Sequence, residues 1–311
     1  MINTLVAALI FRIYKKASFA TGLLLLMCTN QVFAQCDARE FSSFETRVMQ
    51  AYVAYYGRPA DPGGLAFWAG ELENSGGSLN AIINDFGNSS EYQQRFGNLS
   101  STELVNNIFQ QLFGRDADPA GLDFYVGALD SGARTLEAIA IEVLDGSQND
   151  DITNIDNRIT VANHYVTGRE KVEITDPSAE NLTKLIAGVS ADTGSLGGRC
   201  AIASQLLGDE DAALVFFTQD ISEQIIQSNC ITCHVVGGTA GATPLLYSLA
   251  NAPQHEATNM QVISDYLAVG SNRVELYQSK PLGVAHGGGA RLVEGSTDHN
   301  NLLNLIELLS N

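Results

Sequence analysis

The sequence predicts an all-α chain, with a duplicated helical unit followed by a second, smaller helical unit. Three observations carry this. A stretch of the first half recurs 57 positions later without a gap. Each copy is punctuated by helix caps and helix stops rather than by strand alternation. In the last third, apolar residues again fall at helical spacing on both sides of a Cys-Ile-Thr-Cys-His motif at 230–234. A length of 311 residues with 45% hydrophobic residues is enough for two cores.

The repeat is explicit. Tyr56-Gly57-Arg58-Pro59-Ala60-Asp61-Pro62-Gly63-Gly64-Leu65-Ala66-Phe67-Trp68 returns as Phe113-Gly114-Arg115-Asp116-Ala117-Asp118-Pro119-Ala120-Gly121-Leu122-Asp123-Phe124-Tyr125, and the register holds through Leu72/Leu129, Leu79/Leu136 and Ile82/Ile139. Ser100 and Glu103 form a capping box that opens a helix running to Phe113. Gly57 and Gly114 stop their helices. Asp61 and Asp118 cap the next ones, with Pro62 and Pro119 at the first helical position. Ser78 and Thr135 read as caps of a third helix. Leu65, Trp68 and Leu72 share one face, which makes Trp68 a core residue. Arg58/Asp61 and Arg115/Asp118 read as short-range pairs fixing a repeated corner. The acids around Asp150, Asp151 and Asp156 lack the spacing of a calcium-binding EF-hand loop. His164 stands by itself and reads as a surface or core histidine.

Arg12, Lys15 and Lys16, the apolar run 17–28 and the small-residue site Val32-Phe33-Ala34 predict a signal peptide over 1–34 and a mature start at Gln35. An uncleaved anchor is the alternative. The expected placement is periplasmic, extracellular or cell-surface, with no membrane span in the mature chain. Of five cysteines, Cys28 leaves with the signal and two belong to the Cys230 motif. Cys36 and Cys200 remain, and an oxidising compartment predicts a disulfide between them.

The repeat resembles a bacterial domain of unknown function with a GRxxDxxGxxxW signature. That family occurs in surface-layer and haemolysin-type secreted proteins and is similar to the helical repeats of phycobilisome linkers. The resemblance covers residues 45–205 and includes Leu185-Ile186-Ala187-Gly188-Val189-Ser190-Ala191-Asp192. The second copy departs from it at Asp116 and Tyr125. The resemblance implies surface or exported placement and supplies no reaction.

Character changes near 206–213, so 214–311 reads as a separate unit. Cys230-Ile231-Thr232-Cys233-His234 is CxxCH, the attachment signature of c-type haem (heme c). Two thiols at this spacing each add across one vinyl group of the porphyrin edge, and the adjacent imidazole swings beneath the iron. Asp220 reads as the cap of a helix carrying Ile221, Ile225 and Ile226 to the motif. One alternative is zinc, with two of His255, His286 and His299 completing the site. Another is a thioredoxin-like redox pair, but no βαβ pattern surrounds the motif. The sixth iron position has three candidates: His286, Met260, or an open site. Met260 sits among neighbours of helical period, whereas His286 sits in Gly283-Val284-Ala285-His286-Gly287-Gly288-Gly289, where glycines let backbone pass near a ring. Thr297 or Asp298 reads as the cap of a closing helix with Leu302, Leu303, Ile306 and Leu309 on its apolar face, and His299 as a solvated first-turn residue.

Residues 214–311 resemble the planctomycete-type small cytochrome c domains of class I. Their Lys-Pro segment and His-Gly-Gly-Gly loop match Lys280-Pro281 and His286-Gly287-Gly288-Gly289. The resemblance implies one covalent haem with Cys230 and Cys233 as attachment residues and His234 and His286 as iron ligands, and it packs the first and last helices of the unit against each other.

No GxSxG elbow accompanies the HGGG run, so a hydrolase is excluded, and no acid–base constellation marks a stand-alone enzyme. The expectation is a one-electron carrier. Small-gas sensing at an open iron, and a surface protein with an accessory haem, are the alternatives. With 17 basic against 35 acidic residues, a formal net of -18, the chain offers nucleic acid no basic patch. Its total charge instead suits a basic redox partner.

Overall fold

The first corner of the chain shows how its local chemistry builds the fold. Ser42 and Glu45 form a capping box that opens α1 (Ser43–Tyr56), and Gly57, at φ 61, ends it in the left-handed conformation. The Asp61 carboxylate then accepts from the Gly64 N–H at 2.7 Å and opens α2 (Pro62–Asn74). The second copy repeats each step: Ser100 and Glu103 open α5 (Ser101–Phe113), Gly114 closes it at φ 71, and Asp118 opens α6 (Pro119–Asp130). Between them lie α3 (Asn80–Gly87) and α4 (Ser90–Phe96). After them come α7 (Leu136–Asp145, capped by Thr135 as expected) and α8 (Asp150–Arg169). In the first copy the capping position of α3 is Leu79 rather than Ser78.

The computed structural model describes residues 36–310. The expected signal peptide and its cleavage site lie outside them. Among the described residues there are fourteen α-helices and no strands, so the chain is all-α. No helix among them is long and apolar enough to cross a membrane.

The arginines of the two corners do not pair with the capping aspartates, because those carboxylates are engaged by helix N–H groups. Each arginine reaches forward to the first turn of a later helix. Arg58 grips Glu91 of α4 with both arms, at 2.9 and 2.7 Å. Arg115 grips Asp151 of α8 in the same way, at 3.0 and 2.6 Å. Each also lies over the two aromatics of the preceding helix, Tyr52 and Tyr56 in one copy, Phe109 and Phe113 in the other. Trp68 is half-buried and meets Phe86 edge-on at 5.8 Å. Arg158 is buried and bonds carbonyls of Gln110, Gln111 and Val189, so it satisfies the C-terminal end of α5. Burial pushes its guanidinium down to about 10.

α9 (Ala179–Ala187), a 3-10 turn (Thr193–Ser195) and α10 (Leu196–Leu206) follow. Cys36 and Cys200 are joined by a disulfide, with Cα atoms 5.4 Å apart, as expected. His164 helps the same closure: its ring nitrogens contact the Asp37 carbonyl at 2.9 Å and the Ser204 hydroxyl at 3.0 Å.

The last third begins with α11 (Ala212–Phe216), which runs without a break into a π-helix, Phe217–Cys230. Asp220 therefore opens nothing; it lies inside this helix and is buried. Then come α12 (His255–Leu267), α13 (Ser271–Ser279) and α14 (Thr297–Ser310). α14 packs across the π-helix, where Ile221, Ile225 and Ile226 are buried with Leu302 and Ile306. Each such aliphatic contributes about 2 kcal/mol on burial. Leu303 and Leu309 are only partly buried, and Leu305 and Leu308 take the inner positions instead. The hydroxyl of Ser296, not Thr297 or Asp298, receives the His299 N–H at 3.3 Å. His299 is not solvated: it is buried, and its Nδ1 accepts from the Gly295 N–H at 3.0 Å.

α10 and α14 meet closely. A Cβ placed on Gly198 would stand 2.6 Å from that of Asn304, which only glycine tolerates. The Asn304 amide donates to the Ser195 carbonyl at 3.1 Å. The residues before and after the short turn at 207–211 thus share one continuous core.

Candidate functional site

The π-helix delivers the Cys230 motif to the wall of a cavity of about 560 Å³. Its last rung is the Ile231 N–H donating to the Ile226 carbonyl at 2.9 Å. The chain then turns sharply, with the His234 N–H donating to the Cys230 carbonyl at 3.0 Å. The Tyr247 N–H closes on the His234 carbonyl at 2.7 Å, which pins the far side of the loop.

Cys230, Cys233, His234 and His286 all line this one cavity. The Nδ1 of His234 lies 2.9 Å from the Leu245 carbonyl. A carbonyl only accepts, so this nitrogen carries the proton and Nε2 keeps its lone pair. His286 is held likewise: its Nδ1 lies 2.8 Å from the Gly289 carbonyl. The two rings stand 6.1 Å apart between centroids, with planes 27° apart.

The loop that carries His286 is fastened at its base. The Pro281 carbonyl accepts from the Arg291 N–H at 2.7 Å and the Leu292 N–H at 3.0 Å. The Lys280 ammonium donates to the Ala285 carbonyl at 2.6 Å. Ala285 itself sits at φ 47, a left-handed conformation that a residue with a Cβ adopts at a cost of about 1–2 kcal/mol.

The two cysteines are not bridged to each other. Burial pushes the Cys230 thiol up to about 12, opposed by the Arg291 guanidinium. Among the described residues no strand accompanies the motif, so the βαβ setting of a thioredoxin-like pair is not present there. The zinc alternative loses its donors. His255 pairs with Glu256 at 3.1 Å, His299 is committed to Gly295, and neither lines the cavity. Among the described residues no three His, Cys, Asp or Glu side chains gather as a metal site. Met260 is partly buried on α12, packed against the core and not on the cavity wall.

Two lining residues gave no sequence signal. Tyr247 and Tyr277 are buried with their hydroxyls 3.2 Å apart, and the Tyr247 ring lies 6.1 Å from that of His234. Desolvation holds both phenols above their usual range. Each satisfies the other's polar tip inside an apolar wall, so the pair shapes the floor without an unpaired hydroxyl.

Residues 83–150, which include the second GRxxDxxG corner, match a family described as a domain of unknown function (DUF4214). No cytochrome c family matches the last third. No curated protein matches the chain. No solved structure matches it.

Proposed function

We propose that the cavity holds one covalent c-type haem and that the chain is an exported one-electron carrier rather than a stand-alone catalyst. The observation that carries this reading is the pair His234 and His286, whose rings stand 6.1 Å apart across a cavity that also receives both cysteines. Two imidazoles sharing one metal through Nε2, each at about 2.0 Å, have centroids about 6 Å apart. The donor set therefore fits the group: Cys230 and Cys233 would attach it, and His234 and His286 would hold its iron.

Such a haem, when bound, supplies a single-electron couple at its iron. The chain's own residues do the rest. The Leu245 carbonyl orients the His234 ring. The Gly289 carbonyl does the same for His286. If His234 and His286 both held the iron, the group would supply electron exchange and no open position for a substrate. A histidine in place of methionine favours the ferric state and a lower potential. The Cys36–Cys200 disulfide suits an oxidising compartment, which supports export to the periplasm or cell surface. The duplicated helical region then serves placement or interaction.

The test is an absorption spectrum of protein expressed with c-type maturation, oxidised and reduced. The expected result is a c-type Soret and α band without the weak far-red band of methionine-ligated ferric haem. No haem bands after competent maturation would overturn the reading.

A further inference from the structure

The two copies of the repeat each turn one phenylalanine outward. Phe67 on α2 is 59% exposed and Phe124 on α6 is 61% exposed, and the two stand at the same register position, 57 residues apart. Each ring is held edge-on by the aromatic that follows it: Phe67 by Trp68 at 4.9 Å, and Phe124 by Tyr125 at 5.1 Å, with planes 76° and 75° apart. Trp68 and Tyr125 are half-buried, so they anchor the outward rings to the fold. Three residues further on, Gly70 and Gly127 leave open space where a Cβ would stand. That spacing lies on the same helix face as the ring. One flank of each phenylalanine is thereby clear for another chain to lie against.

The charge on these helices has one sign. α2 carries Glu71 and Glu73, α6 carries Asp123 and Asp130, and neither carries a Lys or Arg. All four carboxylates are exposed, and none is in an ion pair among the described residues. Elsewhere the chain joins the same two groups with an arginine of its own. Arg39 lies over the Phe41 ring at 4.0 Å while bonding Glu45 and Glu170. Arg58 and Arg115 lie over their aromatics while gripping Glu91 and Asp151. A guanidinium in such a place is held by the ring face and by the carboxylate together. At Phe67 and Phe124 the ring and the acids are exposed, so the complementary arginine can come from outside. Two faces of this kind brought together would set acid against acid, which argues against a second copy of the same face as the occupant.

We propose that α2 and α6 are two equivalent docking faces for a protein segment in which arginine stands beside aliphatic side chains. The aliphatic groups cover the outward rings, and the arginines meet the carboxylates of the same helices. Both faces lie in the repeat region, and their use does not depend on what the cavity holds.

The experiment titrates the full mature chain with three synthetic peptides of equal length, alternating leucine and arginine, glycine and arginine, or leucine and glutamate. Binding is read by calorimetry at physiological salt. Emission from Trp68, the single tryptophan of the chain, reports locally because its ring touches that of Phe67. The expected result is that the leucine–arginine peptide binds roughly fivefold or more tightly than either of the others and shifts the Trp68 emission. A Phe67→Ser, Phe124→Ser variant, which leaves every charge in place, is expected to lose the margin over the glycine–arginine peptide. Equal binding of the two arginine peptides to the unmodified chain, or of the two leucine peptides, would overturn the proposal, and so would an unchanged Trp68 emission at saturation. These outcomes are read on the unmodified chain even if the variant does not fold. Sedimentation of the chain alone gives the remaining outcome: a dimer that the double variant abolishes would assign the faces to a second copy and overturn the proposed occupant.

Discussion

Arg199 and Glu307 tie the end of the repeat region to the last helix. The arginine is buried, and one arm meets the Glu307 carboxylate at 2.6 Å. The other arm donates to the carbonyls of Lys184 at 3.0 Å and Leu185 at 2.7 Å. One guanidinium thus bonds α9 and α14 from its seat on α10.

Two variants separate the parts of this joint. Arg199→Met strands the buried Leu185 carbonyl and the partly buried Lys184 carbonyl as well as the carboxylate, and is expected to cost about 3 kcal/mol of stability. Glu307→Gln removes only a partly exposed partner and is expected to cost about 1 kcal/mol. Urea midpoints measure both. Equal losses would show that the ion pair, not the carbonyl bonding, dominates.

The Cys36–Cys200 disulfide closes a long loop, with a sequence separation of 164. Loop-closure entropy for such a length is worth about 4–5 kcal/mol. A Cys36→Ser, Cys200→Ser chain is expected to unfold at distinctly lower denaturant, and wild-type protein in mild reductant to behave like it. On the proposed reading, the thioethers of a covalent haem would not be reducible in this way, so the Soret band would serve as an internal control.

The paired corners differ in depth. The Arg58 side chain is 15% exposed and that of Arg115 45%. Arg58→Ala is therefore expected to cost about 2 kcal/mol, and Arg115→Ala about 1 kcal/mol or less. The Arg58 guanidinium holds the Glu91 carboxyl below its usual range. A carboxyl lowered in the folded state stabilises above the unfolded-chain value near 4.5 and loses that contribution as pH falls through the folded value. The acid side of the stability profile should flatten in Glu91→Gln, as followed by circular dichroism between pH 6 and pH 3. An unchanged profile would mean that other carboxylates govern acid unfolding.

His286 is held by a single backbone carbonyl in a loop with a strained Ala285. His286→Ala is expected to leave the haem attached, convert the ferric spectrum towards high spin, and admit carbon monoxide to the reduced form. His286→Met is expected to gain the weak far-red band and raise the potential. A wild-type protein that already binds carbon monoxide rapidly would favour gas sensing over electron transfer.

Much of this architecture is written locally, and those parts were readable. Gly57, Asp61, Pro62 and their second-copy equivalents act within one turn, so sequence order names their partners. The Cys36–Cys200 pairing followed from counting cysteines. Contacts that cross 33 or 36 positions had no such signature. The acids gripped by Arg58 and Arg115 sit three residues out of the 57-residue register, which hid their equivalence. Asp220 resembles a cap by type, yet the helix begins earlier at Ala212 and swallows it. His299 was read from its place in a first turn, but tertiary packing buries it. Arg273, Lys280 and Arg291 are scattered in the sequence, so their meeting on one cavity wall had no local signature.

Gly198 lies outside the cavity and carries no chemistry, yet it sets the stand-off between α10 and α14. α14 also supplies Leu302 to the cavity wall. The two helices act as a spacer gauge whose tolerance is less than one methyl group. A side chain at 198 would work as a shim, lifting the far wall away from the motif that faces it. The clearance around the paired imidazoles is thus machined into the repeat region.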